Sequence, residues 1–202
     1  MNKEIVKSPE IITRQKEIIE KMHAGDTSLP PEDIFFTAVA GNALKNYNLW
    51  HLEDDARMTD VSDSRIADIK RKIDKENQKR NDFIEKIDEV LLDILSHTPE
   101  DGKAALPVNS ETPGSIIDRM CIAGLKIYHM EEEVRREDAA DDHRKKCKNK
   151  LEILEIQLED LAAALDLLID DLFHSRKQLR VYRQFKMYND PALNPSIYGK
   201  KD

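Results

Sequence analysis

Hydrophobic residues recur every three or four positions along residues 62–95, which predicts one face of a long helix. The positions in this row are Ile66, Ile69, Ile73, Glu76, Arg80, Phe83, Ile87, Val90 and Ile94. The row is apolar except in its middle, where Glu76 and Arg80 stand at positions that call for Leu or Ile. Burying these charges unpaired would cost several kcal/mol. We therefore expect internal partners for them, or an opening for water or a ligand.

A second hydrophobic row predicts another long helix over residues 138–179. Its positions are Cys147, Leu151, Leu154, Leu158, Leu161, Leu165, Leu168 and Leu172. No polar residue interrupts this row, so its role is structural: a spine for the other helices or half of a dimer seam. At 1.5 Å per residue the two long helices measure about 50 and 60 Å. Because the other helices cannot easily cover that length, the pattern favours a homodimer.

Three shorter helices complete the prediction. The first begins at Ser8-Pro9, read as a cap followed by Pro at the first helical position, and ends near Gly25. The second covers residues 32–58 and carries an apolar stripe that turns ionic at its end. The third of them, which is the fourth helix along the chain, starts at Thr112-Pro113 and is apolar on nearly every side. The fold class predicted is all-α, an elongated up-down helical bundle.

The domain organisation follows from the turn-forming residues between these helices. Residues 1–202 form a single domain, with 1–30 as an N-terminal helix and linker. Residues 99–111 hold Pro, Gly, Asn and Ser without periodicity and are predicted to be a loop. The composition changes again after Leu179, so residues 182–202 are expected to form an extended tail that lies back on the bundle.

Composition narrows the classes of function. Charged residues make up 36% of the chain and the net charge is −8, which argues against a general nucleic-acid binder. No window approaches the roughly 18 apolar residues of a membrane span, and the first residues do not resemble a signal peptide. Cys121 and Cys147 form neither a disulfide framework nor a zinc ligand set. We expect a soluble cytoplasmic protein that binds neither membrane nor nucleic acid.

The clearest candidate for chemistry is the end of the second helix. The single tryptophan, Trp50, stands beside His51, Glu53 and Asp54. His51 and Glu53 are the candidate catalytic residues, for proton transfer. With His129 and Glu131 from the fourth helix, this group is a candidate metal or acid–base site, as bundles build from facing helices.

That metal reading has a structural alternative. The chain lacks the doubled Glu-x-x-His motif of di-iron proteins, and the same residues can form an internal salt-bridge network. Its members would be His51, Asp54, Arg80 and Arg119. The sequence leaves the metal, the cofactor and the question of enzymatic activity open.

Cations at or near the polar interruption of the first row indicate a pocket for a phosphate or carboxylate, since Arg binds such groups in bidentate geometry. The alternative is pairing with Glu76, Glu53 and Asp54, which is the default in so acidic a chain. The proposed ligand-binding residues are Trp50, Asp54, Glu76, Arg80, Arg119, Lys126, His129, Arg183 and Lys186. The working hypothesis is a small anionic ligand bound inside the bundle. The rival is a non-catalytic dimeric scaffold.

Five sequence blocks in one order resemble a known family. They are Leu49–Asp54, Lys79–Asp82, Glu111–Arg119, Lys126–Met130 and Tyr182–Pro191. Together they resemble the bacterial domain-of-unknown-function 4254 family over roughly residues 30–198. The resemblance implies a soluble bacterial helical protein with no established activity. It also implies an association with enzymes of cell-surface polysaccharides, which favours a sugar-linked anionic ligand or a polysaccharide enzyme as partner.

Overall fold

Five helices form in the computed structural model, which describes residues 6–28, 33–95, 106–185 and 192–193. The helices are α1 Ser8–His23, α2 Ile34–Ala56, α3 Asp63–Leu95, α4 Pro113–Arg135 and α5 Asp141–Phe173. No named strand occurs in these ranges, where the one β-bridge joins Val108 to Gln178. The predicted all-α bundle is confirmed. None of the described helices carries an apolar stretch long enough to cross a membrane.

Two helical hairpins make up most of the bundle. α2 packs mainly along α3, α4 packs mainly along α5, and α1 contacts α2, α4 and α5. The largest core cluster joins the hairpins through residues such as Phe35, Ile87, Ile117 and Leu165. A second cluster, which includes Ile19, packs the C-terminal half of α1 against α2 and α4. The end of α1 therefore lies between two other helices.

The predicted limits of the fifth helix are wrong at both ends. α5 begins at Asp141 and ends at Phe173, well before residue 179. Ser175 has a left-handed backbone with φ of 54°, which stops the helix. Beyond it, Arg176 Nε turns back to Asp171 Oδ1 at 2.7 Å. Lys177 also pairs with Asp171, and these two ion pairs stand where further helical turns were predicted.

Two other predicted boundaries need correction. The second helix was expected over 32–58 and runs from Ile34 to Ala56, capped by Asp33, whose side chain accepts from Phe36 N. Ser8 is not the cap of α1. It is the first helical residue, and its backbone N and Oγ donate to the Asp166 carboxylate at 2.9 and 2.7 Å.

The C-terminal tail is described as far as residue 185, apart from residues 192–193. Residues 179–185 have no regular secondary structure, and Arg183 pairs with Glu85 and Glu89 of α3. This contact lies on the bundle surface. The rest of the predicted tail, and residues 29–32 and 96–105 of the predicted connections, lie outside the described residues.

The polar interruption in the α3 row has internal partners. Glu76 accepts hydrogen bonds from Lys45 Nζ at 3.0 Å, Asn48 Nδ2 at 3.0 Å and Lys79 Nζ at 2.9 Å. Burial alone would raise the pKa of Glu76, but these donors outweigh it and lower its pKa to about 2. Glu76 is therefore held as a carboxylate.

Arg80 belongs to a buried polar layer that joins three helices. Its Nε lies 3.8 Å from Asp118 Oδ1 on α4. The same oxygen accepts from Asn42 Nδ2 and Asn46 Nδ2 of α2, each at 2.8 Å. Both asparagines and Asp118 are buried. We call these four residues the polar layer; it fixes the positions of α2, α3 and α4 relative to one another.

Arg80→Met is expected to lower the free energy of unfolding by about 1–3 kcal/mol, because it leaves the buried Asp118 carboxylate without its cation. The measurement is urea denaturation followed by circular dichroism. Arg119→Met is the matched control. Its partner Glu111 is also half-exposed, so the expected loss is below about 1 kcal/mol. Equal losses for the two variants would show that the polar layer contributes no more than a surface pair.

A buried carboxyl also joins α3 to the start of α4. Asp88 Oδ1 accepts from Gly114 N at 2.7 Å. Burial is the largest influence on this group and raises the pKa of Asp88 to about 6, against the hydrogen bonds from Thr112 and Gly114. The folded state therefore holds a proton on Asp88 that the unfolded chain releases near pH 4.

This pKa sets a testable pH dependence. A carboxyl whose pKa is higher in the folded state stabilises the fold most at low pH, and its contribution falls as the pH rises from about 4 to about 6. Asp88→Asn removes the titration, so the melting temperature of the variant relative to wild type is expected to rise across that interval. Asp93→Asn, on an exposed position of α3, controls for the loss of one charge. A difference independent of pH would contradict the assignment.

Candidate functional site

Three helices bring three histidines together at one end of the bundle. His23 is the last residue of α1, His51 lies in α2 and His129 lies in α4. Their ring centroids are separated by 5.4 Å for His23–His51, 4.9 Å for His23–His129 and 5.9 Å for His51–His129. One ring nitrogen from each lies within 4.8 Å of the other two. We call these residues the histidine cluster.

Hydrogen bonds at Nδ1 orient two of the three rings, those of His23 and His129. His23 Nδ1 lies 2.8 Å from Ile19 O, an acceptor, so this nitrogen carries the proton. His129 Nδ1 is 2.9 Å from Glu132 Oε2. The Nε2 atoms of all three histidines are buried and have no hydrogen-bond partner among the described residues. In the neutral rings of His23 and His129, Nε2 therefore presents a lone pair.

Aromatic rings form the walls around these nitrogens. Tyr128 stacks on His23 at 4.0 Å with an interplanar angle of 20°, and Trp50 stacks on His129 at 4.7 Å and 13°. Tyr47 meets His51 edge-on at 4.5 Å and donates from its hydroxyl to Met22 O. These contacts restrict the ring orientations, and they shield the cluster from water.

The surroundings favour neutral imidazole at His23. Burial is the largest cause and lowers the pKa of His23, and the nearby His129 and His51 lower it further. The hydrogen bond to Ile19 O and the Glu132 carboxylate act in the opposite direction but do not reverse the shift. A neutral ring is the form that accepts a proton or binds a metal ion.

An open cleft of about 510 Å³ adjoins the cluster between α2 and α3. Its lining is Tyr47, Asn48, His51, Leu52, Asp55, Lys72, Lys75, Glu76 and Lys79. Three lysines thus stand on one face of α3 and line the same cleft as His51. Lys79 pairs with Glu76. Lys72 and Lys75 have no ion-pair partner in the part of the chain that the structure describes.

The structure brings some of the predicted site residues together. Trp50, His51 and His129 all belong to the cluster or its wall. Glu76 shares the cleft with His51. Glu53 and Asp54 are exposed at the end of α2, where both pair with Arg57. They lie on the same helix as His51 but line none of the cavities described here.

Of the remaining predicted cations that the structure describes, only Lys126 lines a cavity beside the cluster. Arg119 donates from Nη1 to both Glu111 oxygens at 2.7 and 2.8 Å. With Lys126 it lines a groove of about 390 Å³ between α4 and α5. Lys126 also lines a third cavity, of about 400 Å³, beside Trp50 and His129. Arg183, from the tail, pairs with Glu85 and Glu89 of α3. Lys186 falls outside the described residues.

The ion pairs that form are not those expected from the sequence. Arg80 pairs with Asp118, and Asp54 pairs with Arg57. His51 takes part in no ion pair among the described residues, whereas Glu131, predicted beside the metal site, pairs with Arg135 at 2.6 Å. Most ion pairs among the described residues join side chains three or four positions apart along the chain, as Arg57 does with Glu53 and Asp54, and the expected network does not form.

Sequence reasoning missed His23, and it missed Lys72 and Lys75. His23 stands at the end of a helix that otherwise reads as packing, and no periodicity connects it to α2 or α4. The lysines carried a weak signal, since their spacing with Lys79 places all three on one helix face. The face that they share with His51 becomes visible only when α2 and α3 are packed together.

Comparisons with known proteins identify the family. No curated protein and no solved structure matches the chain. One family model matches residues 37–181, and its description is protein of unknown function (DUF4254). That match covers α3, α4, α5 and nearly all of α2. It therefore includes His51 and His129 but leaves out His23. The chain is therefore a member of the DUF4254 family.

Proposed function

We propose that this chain is a bacterial cytoplasmic protein that binds a small anionic ligand, phosphate-bearing or sugar-linked, in the cleft between α2 and α3. The observation that carries the proposal is the pair Lys72 and Lys75. These two ammonium groups line the cleft without an ion-pair partner among the described residues. Most other cations among the described residues have an ion-pair partner, so two unpaired ammonium groups at a cleft support anion binding.

The charge balance of the cleft supports the same conclusion. Its lining includes three lysines against two carboxylates, Asp55 and Glu76. Glu76 is already held by Lys45, Asn48 and Lys79, so its charge is compensated within the protein. A local excess of positive charge remains although the whole chain carries −8. A phosphate or carboxylate near Lys72 and Lys75 would complete that balance.

The ligand site proposed here differs from the buried layer first expected. Asn42, Asn46 and Arg80 satisfy Asp118 inside the bundle, which leaves no surplus charge for a ligand there. The cleft retains two of the expected residues, His51 and Glu76. His51 is the proposed proton-transfer residue, because its side chain lines the cleft. Glu53 is a weaker candidate for proton transfer, because it is exposed and paired with Arg57.

The alternative is a non-catalytic dimeric scaffold or a partner of an envelope-polysaccharide enzyme, as the resemblance implied. The specific observation in its favour is an apolar strip on the outside of α5. Ile153, Ile156 and Leu167 expose 55%, 56% and 61% of their surface. Leu167 follows Ile156 by 11 positions, about three turns, and Ile156 follows Ile153 by three, so the three side chains share one face of the helix. A second copy of the chain would cover such a strip.

The double variant Lys72→Gln/Lys75→Gln tests ligand binding. Removing two unpaired cations is expected to weaken binding of an anion by at least about 10-fold. The measurement is calorimetric titration with inorganic phosphate, a sugar 1-phosphate and a sugar nucleotide. Binding by wild type is expected to weaken with added salt, because the lysines are exposed.

The matched control is Lys145→Gln/Lys148→Gln, which removes the same charge from exposed positions of α5 outside the cleft. It is expected to bind as wild type does. Equal weakening in both double variants would mean that only net charge matters. No binding of any of the three probes by wild type would count against the proposed function.

Analytical ultracentrifugation tests the scaffold alternative. If the α5 strip is a dimer interface, wild type sediments as a dimer at micromolar concentration and Ile153→Lys/Ile156→Lys sediments as a monomer, because two ammonium groups would be buried. A wild-type monomer under those conditions would remove the observation that favours the scaffold.

A further inference from the structure

We propose that the histidine cluster is a binding site for a divalent first-row transition-metal ion of the Zn²⁺ class, with Nε2 of His23, His51 and His129 as its three protein ligands. The site would join α1, α2 and α4. This metal proposal goes beyond anion binding in the cleft. Of its three ligands, only His51 also lines the cleft.

The first observation is the set of free nitrogens. Buried polar atoms in proteins almost always have a partner, yet three Nε2 atoms in one cluster have none within the described ranges. The three Nε2 atoms cannot all satisfy one another, because those of the neutral His23 and His129 rings, whose Nδ1 atoms face acceptors, carry no proton to donate. A cation at their centre satisfies all three at once.

The second observation is the spacing. Three nitrogens whose mutual distances do not exceed 4.8 Å fit within a circle of radius 4.8/√3, about 2.8 Å. Zinc–imidazole bonds measure about 2.0–2.1 Å. Closure on an ion would therefore require movements of less than about 1 Å by each ring, which small changes in side-chain torsion provide.

The third observation is the outer contacts of the ligands. Metal-binding histidines usually donate their other ring N–H to a backbone carbonyl or a carboxylate, which fixes the tautomer. His23 Nδ1 makes such a contact to Ile19 O and His129 Nδ1 to Glu132 Oε2. The stacked rings of Tyr128 and Trp50 hold the two imidazoles from the side. Both histidines are thus oriented before any ion binds.

The donor set decides the class of ion. Three imidazoles suit Zn²⁺ and its transition-metal neighbours, whereas Mg²⁺ and Ca²⁺ prefer oxygen ligands. Three protein ligands leave a fourth position for water or another ligand, as in catalytic rather than structural zinc sites. His51 and Tyr47 border the cleft. His51 therefore belongs both to the proposed metal site and to the lining of the cleft.

A second group in the described part of the chain, Glu133, His143 and Cys147, is the rival site. Its atoms already satisfy one another. His143 Nε2 is 2.8 Å from Glu133 Oε2 and 3.4 Å from Cys147 Sγ. Glu133 also accepts from Arg136. An ion would have to break those contacts, so the histidine cluster is the favoured site.

Metal titration of the full chain tests the proposal. Protein stripped with a chelator is titrated with Zn²⁺ by calorimetry, and with Co²⁺ followed by visible absorption, which reports a four-coordinate site. We expect one Zn²⁺ per chain and a rise in melting temperature on binding. His51→Gln and, separately, His23→Gln are each expected to weaken Zn²⁺ binding by at least about 100-fold, more than the loss of an outer contact.

Glu132→Gln probes the outer contact and is expected to weaken binding about 10- to 100-fold with the Co²⁺ spectrum retained. His174→Gln, outside both groups, is the matched control and should bind as wild type does. Circular dichroism shows whether each variant is folded. Should one histidine variant fail to fold, the other histidine variant and Glu132→Gln still decide the outcome.

Two results would overturn the proposal. One is the absence of stoichiometric Zn²⁺ binding by wild type. The other is binding that survives His23→Gln and His51→Gln but is lost in His143→Gln, which would assign the metal to the rival site. Lys72→Gln/Lys75→Gln is expected to bind Zn²⁺ as wild type does, so failure of the anion proposal and failure of the metal proposal are distinguishable.

Discussion

The buried carboxylate of Asp118 is the constraint on which the arrangement of the site depends. It draws two amide groups from α2 and a guanidinium from α3 to one point of α4. A charge in that position is tolerated only while those donors remain in place. Their geometry sets how far α2 is shifted along α4. That shift places His51 of α2 opposite His129 of α4.

The first helix reaches the cluster by a separate set of polar contacts. Ser8 binds the Asp166 carboxylate at one end of α1, and Gln15 Nε2 donates to Ile117 O at 2.9 Å in the interior. Near the other end, the Tyr47 hydroxyl donates to Met22 O. Together with the packing of Ile18 and Ile19, these contacts fix the last turn of α1 and so the position of His23.

The sequence predicted the helices better than it predicted the partners. The row of Ile69, Ile73, Ile87 and Val90 is buried as its spacing indicated, because periodicity reports which face of a helix turns inward. It also singled out Trp50, His51 and His129. The sequence could not identify His23 or the ion pair between Arg80 and Asp118, since the choice of partner depends on how separate helices are shifted and rotated against one another. Local spacing contains no information on that.

The polar layer and the histidine cluster differ in how many of their buried polar atoms have a partner. Four buried side-chain nitrogens lack a hydrogen bond among the described residues, and one of these, Arg80 Nε, still lies 3.8 Å from a carboxylate. The other three are the Nε2 atoms of the histidine cluster. Stability alone would favour apolar residues at positions where a polar atom has no partner. Polar atoms without partners are typical of functional sites, and these lie beside a cleft where Lys72 and Lys75 also lack an ion-pair partner among the described residues.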